Sequence, residues 1–139
     1  MLKQARVLVA DDEPFIALDL ALAVEDAGGE VVGPAASVKE ALALLAATPV
    51  VGAILDVTLS DADVTAVAEH LIAHDVPLIL QTGVGLPPGM AARFPGLIVK
   101  IKPFGSAALV EELAALIGGR RGLAEQSPRA VATAPSAEA

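Results

Sequence analysis

Arg6-Val7-Leu8-Val9-Ala10-Asp11-Asp12-Glu13-Pro14 is the stretch on which the reading of this chain turns. A short apolar run reads as a strand. It ends abruptly in three carboxylates, and the proline that follows suits the first position of a helix. After Pro14, residues Ile16, Leu20, Ala23, Val24 and Ala27 recur at helical spacing until Gly28-Gly29 stops them.

The same unit repeats downstream. Strands are expected at 30–33, at 51–55 ending in Asp56, at 77–81 ending in Thr82, and at 97–101 ending in Lys102. Between them lie alanine- and leucine-rich stretches. Ser37 with Glu40 three residues on is a capping-box pattern opening a second helix. A third helix is expected over 62–74 and a fifth over 104–117, with Leu109, Leu113 and Leu116 as its buried stripe. The fourth is predicted to be short or distorted, because Gly85, Pro87, Pro88, Gly89, Pro95 and Gly96 crowd the segment and leave room only at 90–94. Such alternation defines an α/β fold with a parallel, doubly wound sheet of five strands. Residues 118–139 carry no periodicity and are expected to be a flexible tail.

Composition narrows the function. The chain has 139 residues, enough for one domain, and a net charge of −8. Residues 118–139 carry +1, so residues 1–117 carry −9. An acidic surface repels a phosphate backbone, and three Phe without Tyr or Trp offer no stacking platform, so nucleic-acid binding is not expected. With no cysteine, disulfide scaffolds, thiolate zinc sites and thiol catalysis are excluded. No apolar run approaches the roughly 20 residues of a bilayer span, and the N-terminus lacks a signal-peptide layout. A soluble, cytoplasmic protein is expected.

The polar residues collect at one edge. In a doubly wound sheet, ligands bind at the C-terminal strand ends, near the point where strand order reverses. Asp11, Asp12 and Glu13 end the first strand, Asp56 the third, Thr82 the fourth and Lys102 the fifth. Grouped carboxylates repel one another and need a cation, and Mg2+ favours such oxygen ligands. Lys102 adds a positive charge and Thr82 a hydroxyl donor, so the set suits a phosphoryl group moving onto a carboxylate. Asp56 stands alone on the central strand and is the natural nucleophile.

Val7-Leu8-Val9-Ala10-Asp11-Asp12-Glu13, Ile54-Leu55-Asp56, Thr82 and Lys102-Pro103-Phe104 together resemble the receiver domain of two-component response regulators, over residues 4–117. The resemblance implies a flavodoxin-like sheet in the order 2-1-3-4-5. It implies Mg2+ held by Asp11, Asp12, Asp56 and the backbone carbonyl of Thr58, with Asp56 as phosphoacceptor. Thr82 and Lys102 would contact the phosphoryl group, and the Lys102-Pro103 bond would be cis. The donor would be a histidine kinase or histidine phosphotransfer protein, and the output a contact with a further protein in a phosphorelay. A single-domain type is expected, a monomer or weak dimer, that accepts phosphate and dephosphorylates itself slowly at most rather than acting as an enzyme. Thr82-Gly83 and the proline-rich stretch after it are similar to the bacterial FAT GUY subgroup. The sequence departs from the family at Val99, where many receivers are aromatic, and at Val57-Thr58-Leu59-Ser60-Asp61, which lacks the frequent Pro-Gly pair.

Plainer readings compete with each feature. Asp11-Asp12-Glu13 before Pro14 suits helix capping, which is compatible with metal binding. Asp56 and Thr82 are ordinary at strand ends, and Lys102-Pro103 at a strand exit. His70 and His74, four apart without a third ligand, read as residues of a polar helix face. Two other functions stay open. One is an aspartate-nucleophile phosphatase of haloacid-dehalogenase type, although its Asp-x-Asp is absent; the other is a degenerate receiver acting as a constitutive binding module.

Overall fold

Each apolar run becomes a strand because its side chains find cover on both sides of one sheet. The structure, a computed structural model, describes residues 2–83, 85–86, 89–102 and 104–126, without the side chains of 120–126. In chain order the elements are β1 (Arg6–Ala10), α1 (Pro14–Asp26), β2 (Glu30–Ala35), α2 (Val38–Ala47), β3 (Gly52–Asp56), α3 (Thr65–Ala73), β4 (Leu78–Thr82), α4 (Met90–Arg93), β5 (Ile98–Ile101) and α5 (Ser106–Gln126). The strands lie in the order β2-β1-β3-β4-β5, and every neighbouring pair is parallel. This is the doubly wound, flavodoxin-like arrangement expected from the sequence. Strand order reverses between β1 and β3, which opens a crevice at their C-terminal ends.

Alternation along the strands divides the core in two. Val7, Val9, Ile54 and Ile79 face Leu20 and Val24 of α1 and Leu109 and Leu113 of α5. Leu8, Ala53, Leu55 and Leu80 face Ala41 and Leu45 of α2, Val67 and Leu71 of α3, and Met90 of α4. Helix α5 lies close against β3: a Cβ at Gly52 would stand 2.8 Å from Ile117. The face a strand residue takes therefore decides which set of helices it meets.

Capping is realised largely as expected. Ser37 is the N-cap of α2, its hydroxyl accepting from the Glu40 amide at 3.0 Å, while the Glu40 carboxylate accepts from the amide of Ala36 at 2.9 Å. The fourth helix is a single turn. Gly89 precedes it in the left-handed region at φ 84°, Met90 is buried beneath it, and Arg93 pairs with Glu69 of α3.

Three boundaries differ from expectation. Strand β2 continues through Gly33-Pro34 to Ala35, with a cis bond before the proline. It tolerates Pro34 because β2 is an edge strand, where a missing amide costs no ladder bond. Gly33, at φ 103°, allows the register shift opposite Leu8 and Ala10, since a Cβ there would meet Val9 O at 2.9 Å. Helix α3 begins at Thr65 rather than at 62, because the preceding residues are tied into a loop. Helix α5 runs to Gln126 rather than ending at 117: Leu, Ala, Glu, Gln and Arg are strong helix formers, and they carry the helix past Gly118-Gly119. Residues 127–139 and Pro103, with the cis bond expected before it, lie outside the described residues.

Candidate functional site

Strand ends deliver the acidic cluster to one point. Asp11 follows β1 and is 2% exposed, Asp56 ends β3 and is 8% exposed, and Asp12 is open to solvent. One carboxylate oxygen of each can be chosen so that all three lie within 4.8 Å of one another. Lys102 arrives from the end of β5, where its backbone amide donates to Thr82 O at 2.8 Å. Its ammonium donates to Asp56 Oδ2 at 2.8 Å and to Asp11 Oδ2 at 3.3 Å. One cation thus bridges two buried carboxylates from neighbouring strands. Glu13, not Asp11 or Asp12, caps α1, accepting from the Phe15 amide at 3.0 Å with Pro14 at the first helical position. Asp11 Oδ1 instead accepts from the Glu13 amide at 2.9 Å. Capping and clustering coexist by dividing the three acids.

The electrostatics leave the cluster short of positive charge. Burial pushes the Asp11 carboxyl above its ordinary range; the Glu13 amide pulls it back, the Asp56 charge pushes it further, and Lys102 opposes the rise. Burial alone would lower the Lys102 ammonium, but the hydrogen bond to Asp56 and the charges of Asp11 and Asp56 outweigh it and raise it. Three carboxylates against one lysine invite a dication, and an all-oxygen donor set fits Mg2+ better than a transition metal.

The loop after Asp56 is pinned to its surroundings. The Thr58 amide donates to Asp56 Oδ1 at 3.3 Å, Thr58 forms a bridge with Asp63, and the Val64 amide returns to Val57 O at 2.8 Å. The Ser60 amide donates to Ala36 O at 3.1 Å. Asp61 reaches across to the N-terminus of α2, accepting from Val38 N at 2.7 Å and Lys39 N at 3.2 Å. It fills the position of a capping anion, supplied from a different element. Those bonds, Val38 first, hold the Asp61 carboxyl below its ordinary range. A folded pKa below the unfolded one gives stability that is present above the ordinary carboxylate range and lost as pH falls through the folded value. Asp61→Ala is therefore expected to lower the melting midpoint at neutral pH, with the gap to wild type closing in acid. Melts across pH check this; a gap of constant size would refute it.

Thr82 is placed differently from the acids. It is buried, but its hydroxyl donates to Gly85 O at 2.8 Å and accepts from the Gly85 amide at 3.1 Å, so it engages the β4–α4 loop. The reason is parity. Asp56 pairs in register with Gln81, so Gln81 shares its face of the sheet and Thr82 takes the other. Gln81, which sequence reasoning passed over, reaches the cluster: its Nε2 donates to Asp11 Oδ2 at 3.3 Å. The available signal was an amide inside the otherwise apolar run Leu78-Ile79-Leu80. Val99 packs half-buried on the α3–α4 side, beside Leu80. His70 of α3 and His74 just past its end stack at 4.3 Å, and among the described residues the only group of three or more possible metal ligands is that of Asp11, Asp12 and Asp56.

No protein-family model matches the sequence, and neither does any curated protein. Solved structures do match. The chain is 33% identical to SdrG of Sphingomonas melonis Fr1, over 84% of this chain and 98% of that one, with a TM-score of 0.68. It is 25% identical to the receiver domain of the PhyR response regulator of Erythrobacter litoralis, over 84% of this chain and 91% of that one, at 0.67. It is 27% identical to the response regulator PhyR of Brucella abortus, over 93% of this chain, at 0.68, and spans 52%, about half, of that protein's length. The chain belongs to the response-regulator receiver family. No helix among the described residues is long and apolar enough to cross a membrane.

Proposed function

We propose that this receiver accepts a phosphoryl group on Asp56 from a histidine kinase or histidine phosphotransfer protein, and signals by protein contact within a cytoplasmic phosphorelay. The observation that carries the reading is the Lys102 ammonium bridging Asp11 and Asp56 at the sheet's switch point. Asp11, Asp12, Asp56 and the carbonyl of Thr58 would hold Mg2+. When bound, the ion offsets the charge of the carboxylates and of the incoming phosphoryl oxygens.

In the transfer, a carboxylate oxygen of Asp56 attacks phosphorus. The bond from phosphorus to the donor's imidazole nitrogen breaks, and its electron pair stays on that nitrogen. Lys102 exchanges a carboxylate partner for a phosphoryl oxygen; the Thr82 hydroxyl, at the strand end and bonded to Gly85, would have to leave Gly85 and turn towards Asp56 to do the same. Thr58 stands two residues after Asp56, where a haloacid-dehalogenase-like phosphatase has its second acid, so the chain acts as an acceptor rather than a turnover enzyme. A docking surface lies beside the site. Phe15, Leu18 and Leu22 of α1 are 82%, 55% and 49% exposed, and their spacing puts them on one helix face just beyond the acidic cluster. A protein donor would cover that stripe. PhyR of Bartonella quintana, 25% identical, is an anti-anti-sigma factor, in keeping with an output made through protein contact.

The direct test is intact mass after incubation with acetyl phosphate and Mg2+. A gain of one phosphoryl group that disappears with EDTA is expected. No gain at any donor concentration would reduce the chain to a constitutive binding module.

A further inference from the structure

Gln81 is the only amide side chain in any of the strands, and it is 2% exposed. Its neighbours on β4, Leu78, Ile79 and Leu80, are all apolar core. A buried amide costs free energy unless its groups are partnered. Gln81 makes one side-chain bond, to Asp11 Oδ2 at 3.3 Å, and its carbonyl oxygen has no partner among the described residues. An apolar side chain would pack at this position with less penalty, so packing does not account for the residue.

Its reach is informative. β1, β3 and β4 are consecutive in the sheet, and Gln81 pairs with Asp56 on β3. To touch Asp11 beyond β1, the side chain must extend past the acceptor's own strand on the acceptor's own face. It arrives at the same Asp11 oxygen that Lys102 meets at 3.3 Å. Asp11 Oδ1 is taken by the Glu13 amide, so the two oxygens are oriented from three directions. Lys102 has a second partner in Asp56, whereas Gln81 has none among the described residues.

Resting on the phosphoacceptor reading, we propose that Gln81 is a positioning residue for the metal-holding carboxylate of Asp11. Its amide fixes Asp11 Oδ2 and keeps it fixed when Lys102 turns to a phosphoryl group. A neutral donor is suited to this task. It orients the carboxylate without competing for the charge that the metal must neutralise, as a second lysine would.

The test is calorimetric titration of Mg2+ into wild type and Gln81→Leu. Hydrogen-bond partners of metal ligands are worth about 10–100-fold in affinity. The variant is expected to bind Mg2+ about tenfold or more weakly while melting no lower than wild type. Its deficit in phosphorylation by acetyl phosphate should be largest at low Mg2+ and shrink as Mg2+ rises. Equal Mg2+ affinity in a folded variant would overturn the proposal and leave Gln81 as packing. If Gln81→Leu fails to fold, Gln81→Met, which keeps the length and drops the amide, carries the same comparison. A wild-type protein that takes up no Mg2+ would overturn the reading of the site itself, and this inference with it.

Discussion

Asp56→Asn is expected to abolish phosphoryl uptake: with acetyl phosphate and Mg2+, the intact mass of the variant should stay that of the unmodified chain. An amide oxygen is a poor nucleophile, and the neutral side chain no longer attracts Lys102 or a dication. Losing a covalent nucleophile outright costs on the order of 10³-fold or more in rate, so the residual reaction falls below detection. The fold should not suffer. Asn keeps the shape of Asp, and its amide replaces one of three carboxylates crowded within 4.8 Å. A melting midpoint equal to or above that of wild type would separate lost chemistry from lost structure. A mass gain that survives in the variant would place the acceptor elsewhere and sink the assignment.

Lys102→Met produces the second-largest effect. Among the described residues Lys102 carries the only ammonium in contact with both Asp11 and Asp56, and Met keeps the length of the stem while removing the charge. Preorganised charge aimed at a developing anion is worth about 10²–10³-fold, and phosphorylation at saturating Mg2+ should slow by that factor. The variant also leaves its buried carboxylates without a protein counter-ion, so adding Mg2+ should raise its melting midpoint more than it raises that of wild type. Single-turnover phosphorylation and thermal melts with and without Mg2+ read both effects. A rate within threefold of wild type would remove Lys102 from the chemistry.

Most of this frame is legible in the residues themselves. Apolar runs that stop at Asp11, Asp56, Thr82 and Lys102 give strands, their number and the edge where polar groups collect. Ser37 and Glu40 announce α2, and the glycines and prolines of 85–96 announce a fourth helix of one turn. What the residues do not carry is register. Which of Gln81 and Thr82 shares a face with Asp56 depends on how β4 slides against β3, and a shift of one residue would exchange them. The role of Asp61 is hidden for a related reason: its partners Val38 and Lys39 lie 23 and 22 residues away, and only the closed fold brings them together. Pro34 misleads because proline usually ends a strand, and only the strand order shows that β2 lies at an edge.

The two flanks of Asp56 are tied down by different means. On one side, Asp61 and Ser60 fasten the loop after Asp56 to the start of α2. On the other, α4 is a single turn, held by the buried Met90 and by the surface pair of Arg93 with Glu69. A push applied at Asp56 would meet the bonds of Asp61 and Ser60 on the α2 side and a single helical turn on the α4 side. Under the phosphoacceptor reading, displacement would pass along the Thr82 hydroxyl towards Val99, an aliphatic side chain where many receivers are aromatic. In this chain, direction would be set by the unequal fastening of its two flanks rather than by the swing of an aromatic side chain.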